Sequence, residues 1–503
     1  MICKNIDFNL FRCKKVVKFA RLRNIIIMME DNIILSPTQK ALKINLDHSI
    51  YGTMVEIGAG QEVARQFFRA GSASGTIAKT MSAYDKDFSD AIYGKEDHGR
   101  YVCKSRLLNM LSHEYNLIVD RLDNEDHPGR KFFTFADTIT TINYQKTTEG
   151  HGWLGVRFQK ETNSKPNDIV LHVNLHDQDA KLQQETIGIL GTNLLHACFY
   201  ASDPKEILKE LYDNISRDSV DIDMVSFFGP DFKDVDNRLL SLTLVKEGMT
   251  NSVIFTPDGL NHQPSDILYK KNILTLRGSF RPVTKVNIDM LENGLEKFKS
   301  DKRVDENNIQ VLFEITLSNL KSEGDVDEQD FLDRVDILCS LGYTVMISNY
   351  KKYYKVIEYL SQFSPSRMGL IIGVDSLIDM FEEKYYRNLN GGIMEAFGII
   401  FTRDLKIYLY PYKPNDSSEL LNSHNIPIHP RIKALYQYLY SNKRVEDLNH
   451  NKDVLDIFSR DVLKRIRKCE EGTWEHMVPE GVDEIIKERC LFGCVCEFPE
   501  KDN

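Results

Sequence analysis

Residues Thr344 to Val374 read TVMISNYKKYYKVIEYLSQFSPSRMGLIIGV. A short apolar run, Thr344 to Ser348, is followed by a helically periodic stretch, Tyr353 to Phe363, and then by a second apolar run, Met368 to Val374. Strands that are apolar along their whole length, and not only at alternate positions, are buried on both faces, as in a parallel sheet covered by helices. The stretch therefore reads as strand, crossover helix and parallel strand.

The same rhythm extends in both directions. Upstream lie an apolar run at Val311 to Ile315 and a helical pattern at Asp330 to Leu341; downstream lie a helical segment, Ser376 to Phe381, and a strand, Leu405 to Tyr410. A last helical region, Pro430 to Phe458, then Val462 to Ile466 and Val482 to Arg489, is expected to pack on that sheet. The first half is more varied. Helical patterns at Arg106 to Leu122, Leu182 to Phe199 and Pro204 to Ile215 alternate with strand-like runs at Phe132 to Ile139, Trp153 to Phe158, Ile169 to Leu175, Leu240 to Val245, Val253 to Phe255 and Ile273 to Leu276. The expected fold class is α/β, with a mixed α+β N-terminal half and a βαβ-type parallel-sheet C-terminal half. The expected organisation is a basic extension over 1–35, a mixed α+β domain over 36–300, a βαβ domain over 301–415 and a helical region over 416–503.

Composition bounds the rest. At 503 residues the chain exceeds what one hydrophobic core usually serves. A net charge of −10 gives no overall footprint for a nucleic-acid backbone, and charged residues break every apolar run before it reaches membrane-spanning length. Nine cysteines without zinc-ligand spacing point to a reducing compartment, so the chain is read as cytoplasmic, with Cys490, Cys494 and Cys496 as free thiols in the tail. The N-terminal stretch carries Lys4, Arg12, Lys14, Lys15, Lys18, Arg21 and Arg23 against the single acid Asp7. It lacks the h-region of a secretory signal, and the adjacent Met28 and Met29 suggest a start there.

The sharpest local signal is Val55-Glu56-Ile57-Gly58-Ala59-Gly60-Gln61-Glu62-Val63-Ala64-Arg65, read as a strand end, a tight glycine turn and a helix start. Glycines allow the backbone to approach a ligand, and the helix N-terminus offers N–H groups to an anion. Val63 replaces the third glycine of the dinucleotide fingerprint. The core Glu-Ile-Gly-Ala-Gly also looks like the first motif of S-adenosylmethionine methyltransferases, with Asp85 in the place of their ribose-binding acid. A second small-residue loop runs from Gly71 through Gly75 to Thr76, with Lys79 three residues on; it could cradle phosphate or be an ordinary flexible turn.

Gly150-His151-Gly152 is read as a turn that frees the His151 imidazole for acid–base work. Arg238, Arg277 and Arg281 stand beside glycine and proline turns, where a guanidinium suits either phosphate recognition or a surface ion pair. Asp375 and Ser376 are read as helix caps.

Taken together, Tyr51-Gly52-Thr53, the stretch from Glu56 to Arg65, Ser82-Ala83-Tyr84-Asp85, Phe88 to Gly94 and the run from Gly278 to Thr284 resemble a bacterial protein family of unsettled function. The resemblance covers about Leu42 to Gly493. Members often bear the label nicotinate-nucleotide adenylyltransferase, and sometimes an outer-membrane receptor label that this chain's lack of barrel patterning argues against. The histidine-bearing phosphate motif of nucleotidylyl transfer is only partly echoed at Gly150-His151-Gly152, and its second motif is not intact at Ile347 to Tyr350. The resemblance thus implies nucleotide handling in pyridine-nucleotide metabolism without transferring a catalytic residue.

Three functions are compatible with these observations. The first is an enzyme acting on a nucleotide or phosphorylated metabolite, with His151, Arg277 and Arg281 as catalytic groups. Glu56, Gly58, Gly60, Gln61, Gly75, Lys79, Asp85 and Arg238 would then form the binding site, with Mg2+ if a nucleoside triphosphate is used. The second is an S-adenosylmethionine-dependent methyltransferase, and the third a non-catalytic scaffold that could be a homo-oligomer.

Overall fold

The computed structural model describes residues 34–494, apart from 98, 123–128, 322–324, 365–366, 402–403 and 415–418. The basic N-terminal stretch and Cys496 lie outside the described residues. The chain divides into two compact units: Met1–Ile169, Leu175–Val220 and Phe228–Asp231 form the first, and the remainder forms the second.

The described chain opens with helix α1, Pro37–Leu46. Pro37 sits in its first turn, and Ser36 and Gln39 cap it reciprocally, each side chain taking the other's backbone N–H. Strand β1, Ile50–Gly58, follows and leads into α2, Gln61–Ala70. Next come β2 (Ile77–Ser82), α3 (Lys86–Tyr93), α4 (Lys104–Leu122), β3 (Lys131–Thr140) and β4 (Gly150–Phe158). Strand β5 (Asn167–Leu175), helices α5 (Ala180–Tyr200) and α6 (Pro204–Leu211), and β6 (Val220–Phe228) complete a six-stranded sheet of order β2-β1-β3-β4-β5-β6. Strand β1 is parallel to both β2 and β3, whereas β4 returns antiparallel to β3.

The second unit holds an eight-stranded sheet of order β14-β13-β12-β9-β10-β11-β7-β8. Its strands are β7 (Ser252–Phe255), β8 (Asn261–His262), β9 (Asn272–Arg277), β10 (Ile309–Thr316), β11 (Thr344–Ser348), β12 (Met368–Gly373), β13 (Leu405–Tyr410) and β14 (Val445–Asp447). Every pairing from β14 to β11 is parallel; β7 joins β11 antiparallel. The chain starts this parallel sheet at β9, builds outward through β10 to β11, then crosses back to β12 on the other side of β9. That reversal is the strand order of a doubly wound sheet.

The parallel strands are buried on both faces, as their unbroken apolar runs imply. Leu274, Leu276, Phe313, Ile315, Val345 and Ile347 enter one core, while Ile273, Leu312, Met346, Leu370 and Ile372 enter another. The C-terminal helices Ser459–Arg467 and Val482–Glu488 close over the first of these cores with Val462, Ile466, Val482, Ile486, Leu491 and Phe492. The Phe492 backbone N–H donates to the buried Asp333 carboxylate at 2.8 Å.

Several local expectations change. Leu240 to Val245, read as a strand, lies in a helix, Asn237–Lys246, whose buried positions follow one another from Leu240 to Val245 without a polar face to set a helical period. Pro430 to Phe458 is not continuously helical: a helix over Lys433–Ser441 gives way to β14, which pairs with β13. His151 stands in β4 and not in a turn, because the ladder with β3 extends to the pair Thr140 and His151. Asp375 and Ser376 do not cap their helix, which begins after Gly373 without a side-chain cap. Cys490 is disulfide-bonded, not a free thiol, while Cys494 is free.

Candidate functional site

In the first unit, the turn Gly58-Ala59-Gly60 carries the chain from the carboxyl end of β1 into α2. Gly58 has φ +105°, and a Cβ there would overlap the Ile139 carbonyl oxygen. Gly60 is required for a different reason, since its Cβ would overlap the Asp137 carboxylate. The tight turn thus lets two strand ends and a helix start converge.

Glu56 on β1 pairs in register with Ser82 on β2 and with Asp137 on β3. Strand alternation turns all three toward the face that α2 covers. Beside them is a cavity of about 460 Å3 whose lining includes Glu56, Gly60, Gln61, Arg65, Arg69 and Ser82. The Ser82 hydroxyl donates to Glu56 Oε1. Gln61 donates back to the Gly58 carbonyl at 2.8 Å, which fastens the turn. Gly60, the N-cap of α2, has no side chain to occupy the first N–H groups of the helix.

The electrostatics of this corner follow from burial. Desolvation pushes the Glu56 carboxyl up to about 7, against the lowering influence of the Ser82 hydroxyl, the Gly60 N–H and the Gln61 side chain. Asp137 is fully buried, neither of its oxygens has a hydrogen-bond partner, and burial together with the neighbouring Glu56 raises it well above the usual carboxylate range. Two adjacent carboxyls out of water and without a neutralising cation do not both ionise; the pair holds a proton at neutral pH. Glu56 is the member in contact with the cavity.

The other residues singled out from sequence are distributed as follows. Lys79 turns to the opposite face of β2, where it pairs with Glu114 of α4, itself an acceptor from Tyr93. Gly75 lies in the turn that precedes β2, at the opposite end of the β1–β2 pair from Gly58 and Gly60, so the two glycine loops do not converge. Asp85 caps α3 by accepting from the Phe88 N–H. Strand alternation puts His151 on the face opposite Asp137.

In the second unit the arginines are held in ion pairs. Arg277, at the carboxyl end of β9, forks onto Glu314 of β10 at 2.7 and 2.6 Å, and Ser348 of β11 donates to the same carboxylate at 2.7 Å. The Arg277 guanidinium lies 4.5 Å from the Tyr353 ring centre. Arg281 pairs with Asp330, which also holds Arg334. Arg238 is gripped by Asp236 and Asp336. Among the described residues no group of three or more His, Cys, Asp or Glu is arranged to hold a metal ion, and no helix is long and apolar enough to cross a membrane.

Asp137 is the residue that motif reading misses. Its signal is the one charged residue in a strand otherwise made of apolar residues and threonine, Phe132 to Ile139, where a charge has no solvent to face.

No family model matches the chain, and no curated protein matches it. Among solved structures it is similar to the competence/damage inducible protein CihA from Agrobacterium tumefaciens, at 16% identity, 33% of this chain, 99% of that chain and a TM-score of 0.23. A competence-damaged protein (CinA) superfamily member from Enterobacter cloacae matches at 11% identity, 33% of this chain, 94% of that chain and a TM-score of 0.25. The Escherichia coli member matches at 12% identity, 36% of this chain, 96% of that chain and a TM-score of 0.22. Likenesses at this level carry no functional argument.

Proposed function

We propose that the cavity beside Glu56 binds a nucleotide or another phosphorylated metabolite, and that Glu56 exchanges a proton with it. The observation that supports this reading best is a buried glutamate, its carboxyl pushed up to about 7 by desolvation, on the wall of a cavity of about 460 Å3. A group with that pKa can donate or accept a proton at neutral pH, which an ordinary glutamate does poorly as an acid. Arg65, which pairs with Glu62 at 2.8 Å, and Arg69 stand on the same wall, and the helix start has no side-chain cap. Nucleotidyl transfer in the cytosol, with Mg2+ when a triphosphate is the substrate, is the specific form of this reading.

Thermal shift of the full chain with ATP, NAD, nicotinate mononucleotide and S-adenosylhomocysteine, each with and without Mg2+, tests it, since a ligand of the native state raises its stability. A shift with a phosphorylated ligand that Glu56→Gln and the double variant Arg65→Ala, Arg69→Ala each reduce supports the site. A shift with S-adenosylhomocysteine alone would replace it by the methyltransferase reading, and no shift with any ligand by the scaffold.

A further inference from the structure

We infer that the second unit carries a separate binding site for a small phosphate monoester, in a cavity of about 410 Å3 lined by Asn251, Asn349, Tyr350, Lys351, Lys352 and Lys355. Asn349 to Lys352 directly follow β11 and Asn251 directly precedes β7, so the cavity opens at the carboxyl end of β11 beside its antiparallel neighbour. Its charge is opposite in sign to that of the chain. The chain as a whole carries −10, yet the lining residues include three lysines and one acid, Glu358, with Asp221 and Asp223 close enough to act on Tyr350 and Tyr359. Glu358 is taken by Lys355 at 2.8 Å.

The remaining lysines are incompletely compensated. The Lys352 ammonium rests 3.6 Å from the Tyr385 ring centre. Burial holds it below its usual range, Lys351 and Lys384 push in the same direction, and only Asp379 opposes them. A bound dianion would relieve that crowding. The other lining groups suit a phosphate ester. Asn251 and Asn349 carry amide N–H donors, and the rings of Tyr350 and Tyr359, 5.2 Å apart and inclined at 36°, offer aromatic surface to the organic part of the ligand. Ser348, the residue before Asn349, is held by Glu314 and through it by Arg277, which anchors the start of the lining segment. A compact cavity fits a monoester and not an extended polyanion, which would need a basic stripe.

The test is calorimetric titration of the full chain with inorganic phosphate, AMP and adenosine. The wild type is compared with Lys351→Ala, Lys355→Ala, whose side chains are exposed, and with Arg65→Ala, Arg69→Ala, which disables the first unit's cavity. The expected result is that phosphate and AMP bind and adenosine does not. Added to the arginine variant, the lysine changes should weaken both by roughly tenfold or more, as loss of charge-assisted contacts implies, with no change in the unliganded melting temperature. The arginine variant should retain this binding whether or not the first site is real. Phosphate and AMP binding that survives when the lysine changes are added to the arginine variant, or absence of phosphate and AMP binding in the arginine variant, would each overturn the inference.

Discussion

Glu56 and Asp137 stand directly opposite one another on the parallel strands β1 and β3, and both carboxyls are held above their ordinary range. Because a raised folded-state pKa means that the folded protein binds its proton more tightly than the unfolded chain, the stability linked to it is fully present below the unfolded value and is lost as pH rises through the folded one. For Glu56 that window runs from 4.5 to about 7. The shift corresponds to about 3 kcal/mol. Urea unfolding is therefore expected to give a lower stability at pH 8 than at pH 5, and Glu56→Gln should flatten the difference. An equally steep dependence in the variant would show that other groups control it.

Gly60→Ala should destabilise the first unit by about 1–3 kcal/mol, the usual cost of overpacking, because the new methyl group meets the Asp137 carboxylate. Gly75→Ala, which meets nothing within 4 Å, is the control and should change the thermal midpoint little. Equal effects of the two substitutions would contradict the close approach at Gly60.

Glu314→Ala removes the acceptor of both Arg277 and Ser348 at a fully buried position. Leaving the Arg277 charge without its partner is expected to cost about 3–5 kcal/mol, readable as a fall in the urea midpoint. The double variant Arg277→Met, Glu314→Leu should recover much of that loss. If the single change were neutral, the pair would be acting as an exposed one.

The parallel sheet was legible because burial on both faces writes strands as unbroken apolar runs: Thr344 to Ser348 and Met368 to Gly373 need no tertiary information to be recognised. A different pattern misleads for the helix Asn237–Lys246: Leu240, Leu242 and Leu244 alternate with Ser241 and Thr243, the period of a strand, although burial on all sides leaves no helical period to read. Strand β6 escaped because Asp221 and Asp223 interrupt its apolar pattern, and β14, three residues long, exists only through its partner β13. At the candidate site, Glu56 was visible through the glycines after it. Asp137 was not, since nothing local links it to Gly60, 77 positions earlier; only the register of β1 and β3 brings them together. Lys79 shows the converse, because proximity in sequence to a glycine loop says nothing about which face of a strand a side chain takes.

The contact between Phe492 and Asp333 has a consequence for biosynthesis. The backbone donor at Phe492 answers an acid 159 residues upstream, and Trp474, Ile486 and Leu491 belong to the same core as β9 and β10. As the chain leaves the ribosome, the sheet from β9 to β13 can pair while one of its faces is still uncovered, and that face stays open to chaperones or to wrong partners until the segment ending near Phe492 emerges. A nascent chain stalled before that segment should be captured by holdases far more than one stalled beyond it, so the last helices act as a timer for release into the folded pool.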